Sequence, residues 1–293
     1  MKKDKKGTRK KLAADNKANK DIKKRPLSNE TVSPSRKAYL KRIKRDKTLV
    51  IFFRVFILVF FIAIWELLAE IGAIDAFLFS SPTRIAKTLA DLQQSGELFK
   101  HVFTTLYETI AGFVLATIFG CAVSVALWWS ENVRKILEPY IVVLNALPKI
   151  ALGPVIIIAF GSGTEAIVFM TFLVTVIVTT INMLSGFMNT EKGKILLLRS
   201  MGASKKDILC NLVLPGSRGT FVSALKVNVG LSWIGSIMGE YVVSRQGIGY
   251  LIVYGGQVLK LDLVMTGTVL LCILAAAMYA AVLLFEKAVK RRK

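Results

Sequence analysis

Apolar residues in this chain come in long runs that carry little or no charge. A bilayer core of about 30 Å takes about 20 helical residues to cross, and six runs are long enough. Residues 49–69 are interrupted only by Arg54 near the start and Glu66 near the end, where long side chains reach out to the interface. Residues 109–130 are uncharged and contain Gly112 and Gly120, whereas 136–163 are broken by Pro139, Pro148, Lys149 and the Gly153-Pro154 pair. Residues 166–190 are uncharged again, 219–243 enclose Lys226, and 263–285 close the set. The pattern predicts an all-α membrane protein with six transmembrane helices.

Ahead of the first run, residues 1–48 have no apolar period, contain Pro26 and Pro34, and are rich in lysine. Such a segment buries too little to offset its ordering entropy, so a disordered basic tail is expected there. Its basic stretch is too long for a secretory signal, and no small-residue cleavage site follows the first apolar run. The tail either fixes orientation or is drawn to anionic lipid headgroups, at about 1 kcal/mol per basic residue near the surface.

Composition makes sense only with this segregation: the 293 residues are 54% hydrophobic yet 20% charged. A net charge of +21 would by itself suggest nucleic acid. Nineteen of the 40 Lys and Arg lie in residues 1–48, however, so no basic face for nucleic acid is expected. With the N-terminus inside, the inner segments carry 32 basic residues and the outer ones five. That asymmetry predicts both termini in the cytoplasm.

Between the fourth and fifth runs lies an inner segment, about 191–215, that reads as two short helices joined by an elbow. Gly202 suits the left-handed position that ends a helix. Ser204 with Asp207 three residues on forms a capping box that starts the next one, and Pro215 is expected to end it at the entry to the fifth span. Basic residues, Arg199 among them, alternate here with Leu, Ile and Met201-type apolar positions. Lipid headgroups, the protein's own loops or a partner's groove could each take such an amphipathic pair.

Candidate chemistry is sparse. There is one histidine, His101, and Cys121, Cys210 and Cys272 are far apart with no metal or redox spacing. Polar groups inside spans are the remaining candidates, because burying them in lipid is costly. Lys149, beside the break at Pro148, either lines a solute path, reaches to the interface or makes a structural pair. Asn145, Asn182 and Asn228 either line that path or hydrogen-bond between helices. Glu108 and Glu240 fall near outer span ends, as a gate, as a contact for a binding protein or as plain interfacial charges. Trp65, Trp128 and Trp129 suit the membrane belt. Trp233 sits mid-span among Ser232, Gly235, Ser236 and Gly239, small residues that suit a dimer seam.

The spacing from Gly202 through Leu212 and Leu214 to Pro215 resembles the cytoplasmic "EAA" loop of permease subunits of binding-protein-dependent ABC importers. Thr105-Leu-Tyr-Glu-Thr-Ile-Ala-Gly112-Phe resembles the start of that family's transport domain, and Leu147-Pro148-Lys-Ile-Ala-Leu-Gly-Pro154 with Phe160-Gly161-Ser-Gly163 its broken third span. Glu240 with Gly247-Ile-Gly249-Tyr-Leu-Ile resembles the turn after its fifth span. The four pieces cover about residues 101–286 and look most like the nitrate, sulfonate and taurine branch. One departure stands out: Leu196-Leu197-Leu198 replaces the family's Glu-Ala-Ala.

The resemblance implies an ABC importer type I permease fold over 101–287, with 49–100 as first helix and outer loop and 288–293 as a basic cytoplasmic end. It implies a bacterial cell-membrane importer that works as a homodimer with two copies of a cytoplasmic ABC ATPase and an extracytoplasmic solute-binding protein. Arg199, Met201, Gly202, Ala203, Ser204, Asp207 and Pro215 would form the ATPase-coupling loop. Asn145, Lys149, Asn182, Asn228, Trp233 and Glu240 are the candidates for the translocation path. No cofactor is expected in this chain, since it has no Gly-x-x-x-x-Gly-Lys-Ser/Thr phosphate loop, and ATP would be bound by the partner. The cargo would be a nitrate, sulfonate, taurine or vitamin-precursor type of solute. An ion-coupled secondary transporter is the alternative, although no half-to-half repeat is visible. A membrane enzyme would need a His/Asp/Glu cluster that the sequence lacks.

Overall fold

A computed structural model describes residues 34–291 of the chain, and every regular element among them is helical. Helix α1 covers Pro34–Glu70, and the short α2 (Ala76–Phe79) and α3 (Pro82–Gln94) lead to the long α4 (Glu97–Trp129). Next come α5 (Glu131–Ala146), a 3-10 turn at Lys149–Leu152, α6 (Gly153–Phe160) and α7 (Thr164–Met188). Helices α8 (Lys192–Ser200) and α9 (Lys205–Ile208) run through a π-helical turn at Leu209–Val213 into α10 (Leu214–Gly216) and α11 (Arg218–Val243). Helices α12 (Ile248–Gln257) and α13 (Leu261–Arg291) complete the order. Five helices are long and apolar enough to cross a membrane, or six if α5 and residues 149–160, a pair bent by 85°, are counted as one broken span.

Helix α1 starts at Pro34, inside the stretch expected to be disordered. Proline is well placed in a first helical turn, where its missing N–H would have no partner. The Lys, Arg, Ala and Leu that follow are strong helix formers that continue into the apolar run. Charge density that argues against a core therefore does not argue against a helix. The remainder of the expected tail, residues 1–33, lies outside the described residues, as do 292 and 293 at the basic C-terminal end. The chain divides after Ile64. In the first unit α1 exposes apolar side chains all round, Phe52, Ile57 and Leu58 among them, as a lipid-facing helix does.

The second unit, Trp65–Lys293, is built around α4, α7 and α11. Their backbones approach closely because small residues face one another: a Cβ on Gly120 would lie 2.6 Å from Thr179 Cβ, and one on Gly235 2.7 Å from Thr171 Cα. Buried threonines on α7 satisfy their hydroxyls one turn back, Thr171 on the Ile167 carbonyl at 2.9 Å and Thr179 on that of Thr175 at 2.8 Å. Between helices, Thr109 and Ser236 hydroxyls bond at 2.7 Å and Thr175 and Ser232 at 3.4 Å. The small-residue face of Ser232, Gly235, Ser236 and Gly239 is thus closed inside the chain, against α4 and α7, and is no dimer seam. Lys226 is neutralised by Glu286 of α13 at 2.8 Å. At the other end of α13, Arg84 of α3 pairs with Asp262 at 2.7 Å, and Ser80 donates to the same carboxylate at 2.6 Å.

Candidate functional site

The elbow between α7 and α11 is built from local rules. Helix α8 ends in a Schellman motif: the Ala203 N–H donates to Leu198 O and the Gly202 N–H to Arg199 O, both at 3.0 Å, with Gly202 at φ +85°. Two residues later the capping box closes, the Asp207 N–H donating to Ser204 Oγ at 3.2 Å and the Ser204 N–H to Asp207 Oδ2 at 3.0 Å. The Ser204 hydroxyl, and after it the Ser204 N–H, hold the Asp207 carboxyl below its ordinary range. Both signals read from the sequence are present.

The two helices then sort their side chains. Ile195, Leu198 and Ala203 turn inward onto Met183, Phe187 and Ile208, where Leu209, Val213 and Ala224 complete the core. Leu196, Leu197 and Met201 point outward, 69%, 59% and 75% exposed, and Arg199 is exposed beside them. Lys205 fastens the elbow to the end of α4 by donating to the Trp129 carbonyl and lying 5.8 to 5.9 Å from the Trp128 and Trp129 ring centres. No local pattern in the sequence marks that tie, because Lys205 is distant in the chain from Trp128 and Trp129.

Pro215 does not end the second helix. The widened π turn at Leu209–Val213, in which the Leu214 N–H reaches Leu209 O, carries the helix past the proline, whose missing N–H and bulky ring would break a regular turn. Ser217 then anchors the start of α11 by donating to Gly186 O at 3.2 Å.

The residues proposed for a path do not converge. Asn145 and Lys149 flank the break after α5, where Lys149 Nζ donates to the Asn145 carbonyl at 3.1 Å. Around them Leu147, Pro148, Ile150 and Leu152 are exposed. Asn182 is half-buried on α7. Asn228 is fully buried and donates to Thr117 Oγ1 on α4 at 3.2 Å, a bond between helices. Trp233 packs into a core with Leu225, Val229 and Val282. Glu108 and Glu240 are not interfacial charges: each is 1% exposed. The Gly249 and Tyr250 N–H groups donate to Glu240 Oε2 at 2.5 and 3.4 Å. His101 Nδ1 accepts the Gly247 N–H at 3.0 Å and Thr105 Oγ1 the Ile248 N–H at 2.8 Å. His101 and Thr105 in this role carry no local sequence signal, because they cap a helix more than a hundred residues away.

Comparison with known proteins fits this geometry. Residues 112–293 match the family described as binding-protein-dependent transport system inner membrane component. The formylaminopyrimidine transport permease protein ThiX of Halalkalibacterium halodurans is 30% identical over 64% of this chain and 74% of its own. The taurine transport system permease protein TauC of Escherichia coli is 24% identical over 73% of this chain and 80% of its own. The MetNI methionine ABC transporter in an inward-facing conformation has the same fold, with a TM-score of 0.60 at 20% identity over 67% of this chain and 98% of that one.

Proposed function

The chain belongs to the family of binding-protein-dependent transport system inner membrane components and is a permease subunit of an ABC importer; from that premise we propose that it works as a homodimer coupled through the elbow at 191–215 to two cytoplasmic ATPase subunits, which bind the ATP. An extracytoplasmic solute-binding protein delivers the cargo, and both chain termini face the cytoplasm. The excess of 32 inner over five outer basic residues supports this orientation. The cargo is a small polar or anionic solute. The relatives named for taurine and formylaminopyrimidine support that class, and Lys149 would attract an anion such as a sulfonate.

The observation that carries the coupling reading is the outward triplet Leu196, Leu197 and Met201, held by a doubly capped turn that leaves its apolar face free. A rigid apolar knob suits a partner's groove. Single-cysteine crosslinking tests it: with the cognate ATPase coexpressed, Met201→Cys should crosslink to the ATPase, and Gln246→Cys should instead be labelled from outside by an impermeant thiol reagent. A Met201→Cys variant that meets only lipid-phase probes would favour headgroup binding.

The path and the dimer contact belong at the broken span. From Glu138, the last charge of α5, to Leu147 the helix rises about 13 Å, which sets the break near the middle of a bilayer. Irregular backbone at that depth persists only where protein or water covers it. We place a second copy and the solute path on this face, with Asn145 and Lys149 beside the cargo.

A further inference from the structure

Three carboxylate oxygens are buried with no hydrogen-bond partner: both of Glu108 and Oε1 of Glu240. The two carboxyls are neighbours where α4 meets α11, beside the Thr109–Ser236 hydroxyl bond of 2.7 Å that joins the two helices one residue after Glu108 and one turn before Glu240. An ionised carboxylate offers only acceptors. Two of them in contact would set lone pair against lone pair and bury two like charges away from water, an arrangement proteins avoid by protonating one member.

No basic side chain relieves the pair among the described residues. The titratable groups around it are His101 on α4, Tyr241 on α11, Tyr250 on α12 and the exposed Glu165 at the start of α7, while Glu97 and Lys100 are exposed at the beginning of α4. His101 accepts the Gly247 N–H at Nδ1, which only an uncharged ring can do. The neighbouring Thr105 and Thr164 are uncharged. A proton held between the carboxyls removes one of the two negative charges and gives two of the three orphaned oxygens a shared hydrogen bond.

We propose that Glu108 and Glu240 form a proton-binding site that fastens the outer turn of the permease. One proton, held between the carboxyls, makes one the donor to the other. Glu240 Oε2 then keeps the N–H groups of Gly249 and Tyr250, so that α4, α11 and the first turn of α12 are joined at one point. Nothing in this site touches the elbow, and its test does not depend on the coupling reading.

Infrared spectroscopy of the complete importer in lipid nanodiscs at neutral pH tests the proposal. The C=O stretch of a protonated carboxylic acid, shifted in D2O, should be present in the wild type and lost in both Glu108→Gln and Glu240→Gln. Glutamine has the shape of the protonated acid and its amide supplies the missing donor, so Glu108→Gln should reach the membrane at wild-type abundance. Hydrogen exchange of the Gly249 and Tyr250 amides, corrected for intrinsic rates, should rise several-fold in the wild type from neutral to alkaline pH and stay level in Glu108→Gln. No protonated-acid band in the wild type, a band that survives both substitutions, or identical pH profiles in wild type and Glu108→Gln would overturn it.

Discussion

Two short helices, α9 at the elbow and α12 at the opposite end of α11, have their first turns capped in opposite ways. For α9 the cap is local and solvated: Ser204 and Asp207, three residues apart, satisfy each other's backbone. For α12 it is distant and buried: His101 and Thr105 on α4 and Glu240 on α11 accept the N–H groups of four consecutive residues, Gly247 to Tyr250. The local cap shapes a surface feature that can be altered without disturbing the bundle. The distant cap joins three helices, and altering it should be felt throughout.

The largest expected difference comes from removing the shared acceptor. Glu240→Ala leaves buried N–H donors unpaired, at about 2–3 kcal/mol, and should lower both membrane abundance and the thermal unfolding midpoint of the purified protein. Thr105→Val, which strips one acceptor from the Ile248 N–H, should lower stability by about 1–2 kcal/mol. Ser204→Ala costs about 1 kcal/mol and, being confined to the elbow, should leave the unfolding midpoint near that of the wild type while reducing ATP-driven uptake in proteoliposomes. If Ser204→Ala unfolds the bundle as readily as Glu240→Ala, the contrast between the two caps fails.

Acid sets the smallest effect. Asp207 titrates below the ordinary aspartate value of 3.8 in the folded elbow, so its contribution is present above that value and is lost as pH falls through the lower folded one. Amide exchange at Ser204 and Asp207 should accordingly be insensitive to pH through the neutral range, once corrected for intrinsic rates, and quicken only under strongly acid conditions. Asp207→Asn should remove that acid dependence.

The same contrast explains what was legible in the sequence. Apolar runs marked the spans, because the bilayer sets their length, and Gly202, Ser204 and Asp207 marked the elbow, because helix caps act over a few residues. The start of α1 at Pro34 was hidden by lysines and arginines that favour a helix as much as they oppose a core. The passage through Pro215 was hidden because a π turn has no fixed residue signature. Ser232, Gly235, Ser236 and Gly239 were rightly marked as a close-packing face, but small residues do not say which helix will approach them, and here α4 and α7 of the same chain do. Glu108 and Glu240 stand near span ends in the sequence, where exposure is the natural expectation; only the folded chain buries both and brings α12 onto Glu240.

The central claim is that the elbow transmits ATPase closure to the helices, and Gly202→Val tests it most directly. At φ +85° a residue with a Cβ is strained by about 1–2 kcal/mol, and a Cβ there would meet no neighbouring atom within 4 Å, so the damage is confined to the turn. In proteoliposomes containing the permease, its ATPase and the binding protein, we expect normal permease abundance with a several-fold fall in both uptake and binding-protein-stimulated ATP hydrolysis. Normal uptake by Gly202→Val with the ATPase still bound would contradict the account.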